Sequence, residues 1–199
     1  MATNKSQLQD IFDKYRYDPS IAKKSKTWFE QQALLLSKKR ITPQMIINND
    51  PANVKSPNSL TPGKLYMFLY DPKLKKELPY YDKFPLVFPF RKTEDGFIGL
   101  NMHYLPHRLR IILMDRLMVF ANNDKMDATT KLRYSWSLID GISKFNLAKP
   151  CVKRYLTNHL KSPMVNVPAD DWTTAMMLPV ERFTKASKEY VWSESRKKI

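Results

Sequence analysis

Glycine is scarce in this chain of 199 residues, which has 4 glycines against 14 prolines. So few glycines argue against a loop that cradles phosphates, and no Walker loop, Rossmann fingerprint or kinase signature occurs. The single cysteine, Cys151, excludes a disulfide within the chain and fits a reducing compartment. Residues 1–20 contain no continuous apolar segment, so we expect no secretory signal. The most apolar stretch, Leu109–Phe120, is short and interrupted by charges, so we expect no membrane span.

Acidic residues are also few. The chain has 19 Asp and Glu against 34 Lys and Arg, which leaves a net charge of +15. The segment around the middle of the chain is nearly balanced, and the two flanks are basic. A densely anionic partner would release counterions on binding such flanks. We therefore expect a polyanion as partner, double-stranded DNA in particular. The other interpretation is that the charge serves solubility alone.

Composition divides the chain into three parts. Residues 1–50 carry apolar residues at helical spacing and predict an N-terminal helical segment. Residues 51–62 are rich in Pro, Asn and Ser, which predicts a linker. Residues 63–199 predict an α+β domain, mostly helical with a small central antiparallel β-sheet that could curl like an SH3-type barrel. We expect one compact globule.

Three short aromatic runs predict the strands of this sheet within residues 63–104. Lys64–Tyr70 is bounded by turn residues and predicts a buried strand. Phe84–Phe90 contains two prolines, which cannot donate ladder hydrogen bonds, so it predicts an edge or bulged strand. Phe97–Tyr104 predicts the third strand. Asp95 and Gly96 stand before it, and this pair favours a hairpin because it supplies the positive φ angles of a tight turn.

The remainder, residues 105–199, predicts helices. Pro106 opens the first, with Leu109 and Ile112 among its inward positions. Asp127 caps the second, with Trp136 among its inward positions. A third is expected over residues 149–161, a short one after the acidic pair at 170–171, and a last one over residues 184–197.

Patterns that hold a metal or activate a nucleophile are weak. His103 and His107 are four residues apart, but a proline separates them, so we expect no metal site. Asp71 begins an Asp-Pro-Lys sequence whose spacing one large nuclease group uses, with Asp50 as the candidate second acid, but its proline would disturb the strand that must present both groups. Cys151 has no supporting Cys–His pattern and predicts a buried thiol. We expect no enzyme and no cofactor.

Rows of basic residues are the remaining signal. Lys149, Lys153 and Lys161 recur at multiples of four, so on a helix they would form one stripe, with Arg154 beside it. Such a stripe could follow the phosphates of a nucleic acid. The further candidates are Arg108, Arg110, Lys23, Lys24 and Lys26. The alternative is that these rows are solvated helix faces. No Arg, Asn or Gln pattern suggests base-specific contacts.

Aromatic residues crowd the predicted sheet. Exposed, they could stack on unpaired bases, as in single-strand binders. The more common role of such density is a core. The residues concerned are Tyr66, Phe68, Tyr70, Tyr80, Tyr81, Phe84, Phe88, Phe90, Phe97 and Tyr104.

Five segments carry a resemblance to a known group. They are GKLYMFLYDPK from residue 63, LPYYDKFPLVFPF from 78, GFIGLNMHYLP from 96, KPCVKRYLTNHLKS from 149 and VWSESRKK from 191. The chain resembles small proteins of T4-like tailed phages over residues 30–199, with the N-terminal helix outside the likeness. The resemblance implies a virion-associated or genome-handling role, such as a DNA-end protector or a head or neck component. It supplies no functional residue.

Two hypotheses remain open. The first is a non-enzymatic, sequence-independent DNA-binding protein that acts on the phage genome or its ends in the host cytoplasm. The second is a structural component of the particle that docks other virion proteins through its proline- and aromatic-rich sheet edge. Neither involves a membrane.

Overall fold

The computed structural model describes residues 54–55, 60–121, 125–169 and 172–198, and it confirms the α+β class. The strands within this part are β1 (Val54–Lys55), β2 (Leu65–Met67), β3 (Tyr81–Asp82), β4 (Leu86–Thr93), β5 (Gly96–Asn101), β6 (Val152–Leu156), β7 (Met164–Val167) and β8 (Phe183–Thr184). The helices are α1 (His107–Ala121), α2 (Ala128–Ser143), α3 (Trp172–Met177) and α4 (Lys188–Lys197). No helix in these ranges is long and apolar enough to cross a bilayer.

Six strands form one antiparallel sheet in the order β1-β7-β2-β4-β5-β6, and β3 pairs with β8 separately. In β1, Val54 pairs with Val165, so part of the expected linker lies in the sheet. The three-part division of the chain itself stays a prediction. Of the two alternatives predicted for Phe84–Phe90, an edge or a bulged strand, the bulge is confirmed between Pro89 and Arg91, and β4 lies inside the sheet between β2 and β5.

The predicted hairpin is confirmed, but its turn differs from the expected one. Thr93 pairs with Gly96, so the turn residues are Glu94 and Asp95. Among the described residues, positive φ angles occur at Gly63 and Lys185 and not at Gly96. Gly96 is needed for a different reason, because a Cβ there would overlap the backbone of Tyr155 in the neighbouring strand.

The predicted helix over residues 149–161 is wrong. This segment is a 3-10 turn (Asn146–Cys151), then β6, then a second 3-10 turn (Thr157–His159). Residues in β6 alternate between the two sheet faces, and β6 pairs along its whole length with β5, from Gly96 to Leu100. Long-range pairing therefore overrides a lysine spacing that also fits a helix.

The core occupies both faces of the sheet. Along β2, Leu65 and Met67 contact the cluster under the helices, whereas Tyr66 and Phe68 belong to an aromatic cluster on the other face. The structure therefore confirms that the crowded aromatics are core: of the ten, all but the half-buried Tyr80 are buried.

The predicted helix starts after Pro106 and at Asp127 are confirmed, but some residues predicted to face inward are exposed. The Asp127 carboxylate accepts from Thr130 N at 2.9 Å and caps α2. In α1, the predicted inward residues Leu113 and Leu117 are buried, but Ile112 is 44% exposed, and Ile111 and Met114 are buried as well. Trp136 of α2 was expected inside and is 41% exposed. The N-terminal helices and the acidic pair at 170–171 lie outside the described residues.

Candidate nucleic-acid interface

The three lysines predicted to form one stripe on a helix lie in different elements. Lys149 lies in the turn before β6 and Lys161 lies beyond the turn after it, and both are exposed. Lys153 lies within β6, with its Nζ 4.0 Å from the ring centre of Tyr104, and burial lowers the pKa of this amine to about 8. Arg154 points to the opposite sheet face because neighbours in a strand alternate.

Arg110 is a core residue. Its side chain is fully buried, with Nε donating to Leu105 O at 2.6 Å, Nη1 to Met176 O at 3.0 Å and Nη2 to His103 O at 3.2 Å. Its Nη1 also lies 4.0 Å from Glu181 Oε2. The prediction that Arg110 reaches phosphates is therefore wrong. Its neighbour Arg108 is exposed, and Lys23, Lys24 and Lys26 lie outside the described residues.

A basic surface not predicted from the sequence runs from the start of β2 across α2 to the β4–β5 hairpin. We call it the α2–hairpin surface and define it by Lys64, Lys131, Trp136, Arg91 and Arg154. The glycine before Lys64 joins these parts, because it packs closely against α2 and forms a hydrogen bond to β4. A Cβ on the glycine before Lys64 would lie 3.2 Å from both Leu132 and Trp136 of α2. That glycine also donates to the carbonyl of Pro89 at 2.9 Å.

Trp136 is fixed on this surface. Its Nε1 donates to Phe90 O at 2.8 Å, which places the indole beside Arg91, the next residue of β4. A partly exposed ring that is held by a hydrogen bond loses little freedom when another flat group packs on it. Trp136 therefore provides an aromatic surface among cations.

The two arginines of the surface lie in one row of the sheet. Arg91 pairs with Ile98, and Ile98 pairs with Arg154. Directly paired residues share a face, so both arginines project from the same side, two strands apart. Arg154 forms an exposed ion pair with Asp95 at 2.8 Å, and this hydrogen bond lowers the pKa of the Asp95 carboxyl. Exposed pairs of this kind contribute little because water and salt screen them, so a phosphate can compete for the guanidinium.

A pocket opens next to this surface. Its volume is about 250 Å³, and it lies where the starts of β2, α2 and α3 meet the end of β7. Lys64 and Lys131 line it together with the apolar side chains of Leu132, Val167 and Trp172.

The most polar part of the interior is a buried network. His103 Nδ1 lies 2.7 Å from Asp82 Oδ2, and both side chains are almost fully buried. Burial raises the pKa of Asp82, but His103 and the backbone N–H groups of Phe84 and Arg182 outweigh this effect and lower it. Asn101 Nδ2 also donates to Asp82. These bonds join β3, β5 and the segment before β8, so the network fixes the position of these elements relative to one another.

Other chemically suggestive residues have ordinary surroundings. Cys151 is fully buried, which raises the pKa of its thiol to about 12 and confirms the expected buried thiol. Asp71 bonds to Lys75 Nζ at 2.9 Å, and that bond lowers the pKa of the Asp71 carboxyl. Asp50, the candidate second acid of a nuclease site, lies outside the described residues. Within those residues no group of three or more His, Cys, Asp and Glu could hold a metal ion.

Sequence reasoning missed most of the α2–hairpin surface. Arg154 was selected, but for a helix. Lys64, Lys131 and Arg91 lie apart in the sequence and meet only through the contacts of β2, β4 and α2. The alternation of β4 after its bulge could have placed Arg91 outside, but nothing local marks Lys64 or Lys131.

The fold and surface define a class: a basic α+β protein with far more exposed cations than exposed carboxylates among its described residues. A family profile described as phage T4 terminal DNA protecting protein matches residues 6–198. The chain therefore belongs to that family, and the phage resemblance found in the sequence is confirmed. The match includes the N-terminal segment that the resemblance had left out. No curated protein and no solved structure matches the chain.

Proposed function

We propose that this protein binds the ends of double-stranded phage DNA, without reading sequence and without cutting it. Family membership indicates protection of DNA ends. The observation that carries the proposal is the imbalance of exposed charge. Among the described residues, exposed Lys and Arg far outnumber exposed carboxylates. Those carboxylates are Glu77, Glu94, Asp95, Asp127 and Glu189.

Phosphate neutralisation explains how such a surface binds any sequence. Each cation that contacts a phosphate releases condensed counterions, and this gain is the same for every base pair. The α2–hairpin surface offers four cations, of which Arg91 lies 3.9 Å from Asp140 and Arg154 lies 2.8 Å from Asp95 in exposed pairs that a phosphate can replace. Trp136 offers a flat apolar group. A protein that occupies a DNA end in this way excludes an exonuclease sterically, so protection requires no chemistry. The site of action would be the host cytoplasm, with later incorporation into the particle.

The alternative, a structural virion component, has less support from the geometry. The segment that was expected to dock other virion proteins is buried, including Pro85, Phe88 and Pro89. It lies in the middle of the sheet and not at its edge. Contacts with other virion proteins would have to use a different surface.

The test compares two pairs of cations. We expect wild-type protein to bind linear duplex DNA with a log–log salt slope of about −3.6 if each of the four cations of the α2–hairpin surface contacts one phosphate. Changing Arg91→Gln and Arg154→Gln together should reduce the slope by about 2 units. The matched control is Lys149→Gln with Lys161→Gln, which removes the same charge outside the α2–hairpin surface and should leave the slope nearly unchanged. Fluorescence anisotropy between about 50 and 200 mM salt measures both.

Three results would contradict the proposal. Binding that is flat over this salt range would exclude phosphate neutralisation. Cleavage of the DNA with Mg²⁺ or Mn²⁺ would exclude a non-enzymatic role. Equal exonuclease digestion of linear DNA with and without bound protein would exclude end protection. A larger slope change in the control pair than in the arginine pair would move the interface to the β6 edge.

A further inference from the structure

The pocket beside the α2–hairpin surface combines apolar walls with two cations. Leu132 and Trp172 form apolar walls, and the Trp172 indole is fixed because its Nε1 donates to Val167 O at 3.0 Å. Lys64 and Lys131 have no carboxylate partner within the part of the chain that the structure describes. A group that is flat and apolar at one end and anionic at the other matches this lining.

Pocket size restricts the ligand further. Pockets for drug-sized molecules have volumes of about 300–1,000 Å³, and this one is smaller at about 250 Å³. It therefore admits one ring system with its phosphate and not a length of duplex.

We infer that this pocket takes the terminal nucleotide of a DNA strand, unpaired from its complement, with the base against Leu132 and Trp172 and the phosphate between Lys64 and Lys131. The inference rests on the proposed function and adds the site that distinguishes an end from the duplex interior.

Unpairing explains why such a pocket selects ends without reading sequence. Extracting a base from a duplex costs its pairing and stacking energy, and the cost is least where pairing is already weak. A terminal base stacks on a single neighbour and frays, so it enters a pocket more easily than an internal base. Every base has an apolar face, so contact with apolar walls tolerates any sequence. The α2–hairpin surface then binds the phosphates that follow.

The experiment uses three linear duplexes of one sequence that differ only at the ends: a paired terminus, a mismatched terminus, and a terminus abasic on both strands. The mismatch removes the pairing cost, so the wild-type protein should bind it about tenfold more tightly than the paired end. The abasic end offers no base and should bind more weakly than the mismatched end. Anisotropy at one salt concentration gives the ranking.

A pocket-filling variant and a matched control complete the test. Ala128 lines the pocket and is exposed at the start of α2, so Ala128→Leu adds bulk there without changing charge. It should make the affinities for the three duplexes equal. Thr129→Leu makes a similar addition at the next exposed position, which does not line the pocket, and should keep the wild-type ranking.

The outcomes separate this inference from the proposed function. Equal wild-type affinities for all three duplexes, with a steep salt slope, would overturn the pocket assignment alone. An Ala128→Leu protein that melts like wild type and keeps the ranking would also overturn it. If Ala128→Leu does not fold, the wild-type ranking decides. No binding to any of the three duplexes would instead refute the proposed function.

Discussion

Replacing Arg110 separates a core role from a phosphate-binding role. The change Arg110→Met keeps an unbranched side chain as far as the Nε position and removes the guanidinium. Leu105 O and Met176 O then lose this charged donor, while His103 O keeps a bond from Trp192 at 2.8 Å. Glu181 is also left buried, with Lys188 at 3.7 Å as its remaining cation among the described residues.

The size of the effect follows from these losses. A hydrogen bond from a charged group contributes about 1.5–3 kcal/mol, and breaking a buried pair costs about 3–5 kcal/mol. Because the losses share one side chain, they do not add, and we expect the free energy of unfolding to fall by about 3–5 kcal/mol. For a chain of this size that corresponds to a melting temperature lower by about 6–20 °C.

The matched control is Arg108→Gln, two residues earlier on α1 and exposed, which should change the stability by less than about 0.5 kcal/mol. Urea unfolding followed by circular dichroism measures both variants. An Arg110→Met protein with wild-type stability and weakened DNA binding would refute the reasoning, because it would show that the guanidinium acts at the surface.

Two further predictions concern a glycine and a histidine. Gly96→Ala should destabilise the fold by about 1–3 kcal/mol, because its Cβ would overlap the Tyr155 backbone. Gly141→Ala should instead stabilise α2 by about 0.5–1 kcal/mol, because no atom lies within 4 Å of its Cβ. Urea midpoints that move in the same direction for both variants would contradict this prediction. Burial, and then the charge of Arg110, lower the pKa of His107 from 6.5 to about 4. The folded state therefore binds this proton less readily than the unfolded state, so the stability of the fold should decline as the pH falls from about 6.5 to about 4. The variant His107→Gln should show a smaller decline in melting temperature over this pH range. An unchanged decline in the variant would assign the effect to another group.

Local signals in the sequence were enough for the elements that local chemistry decides. The Asp127 cap, the β4–β5 hairpin and the buried aromatics depend on residues close together in the chain or on plain apolarity. Strand β6 depends instead on pairing with β5 across more than fifty residues of chain, and the lysine spacing within it fits a helix equally well. The local sequence gives no information about that pairing, so a helix was predicted where the structure has a strand.

The same limit applies to the binding surface. Net charge predicts the class of partner because it is a sum, and a sum does not depend on where the charges lie. A site depends on position, and the structure shows that three arginines of similar appearance in the sequence have different surroundings. Arg110 is enclosed by carbonyl groups, Arg154 shares its charge with Asp95, and Arg108 is exposed to solvent.

Position also decides how strongly salt should weaken binding. The slope counts the cations that reach phosphates, so it is set by the exposed subset that shares one surface and not by the net charge. Lys153 illustrates the difference, because burial lowers the pKa of its amine to about 8 and its charge rests on the ring of Tyr104. Charges of this kind raise the net charge without adding a phosphate contact. The slope of the wild-type protein should therefore be well below what a net charge of +15 would allow, and close to the number of cations on the α2–hairpin surface.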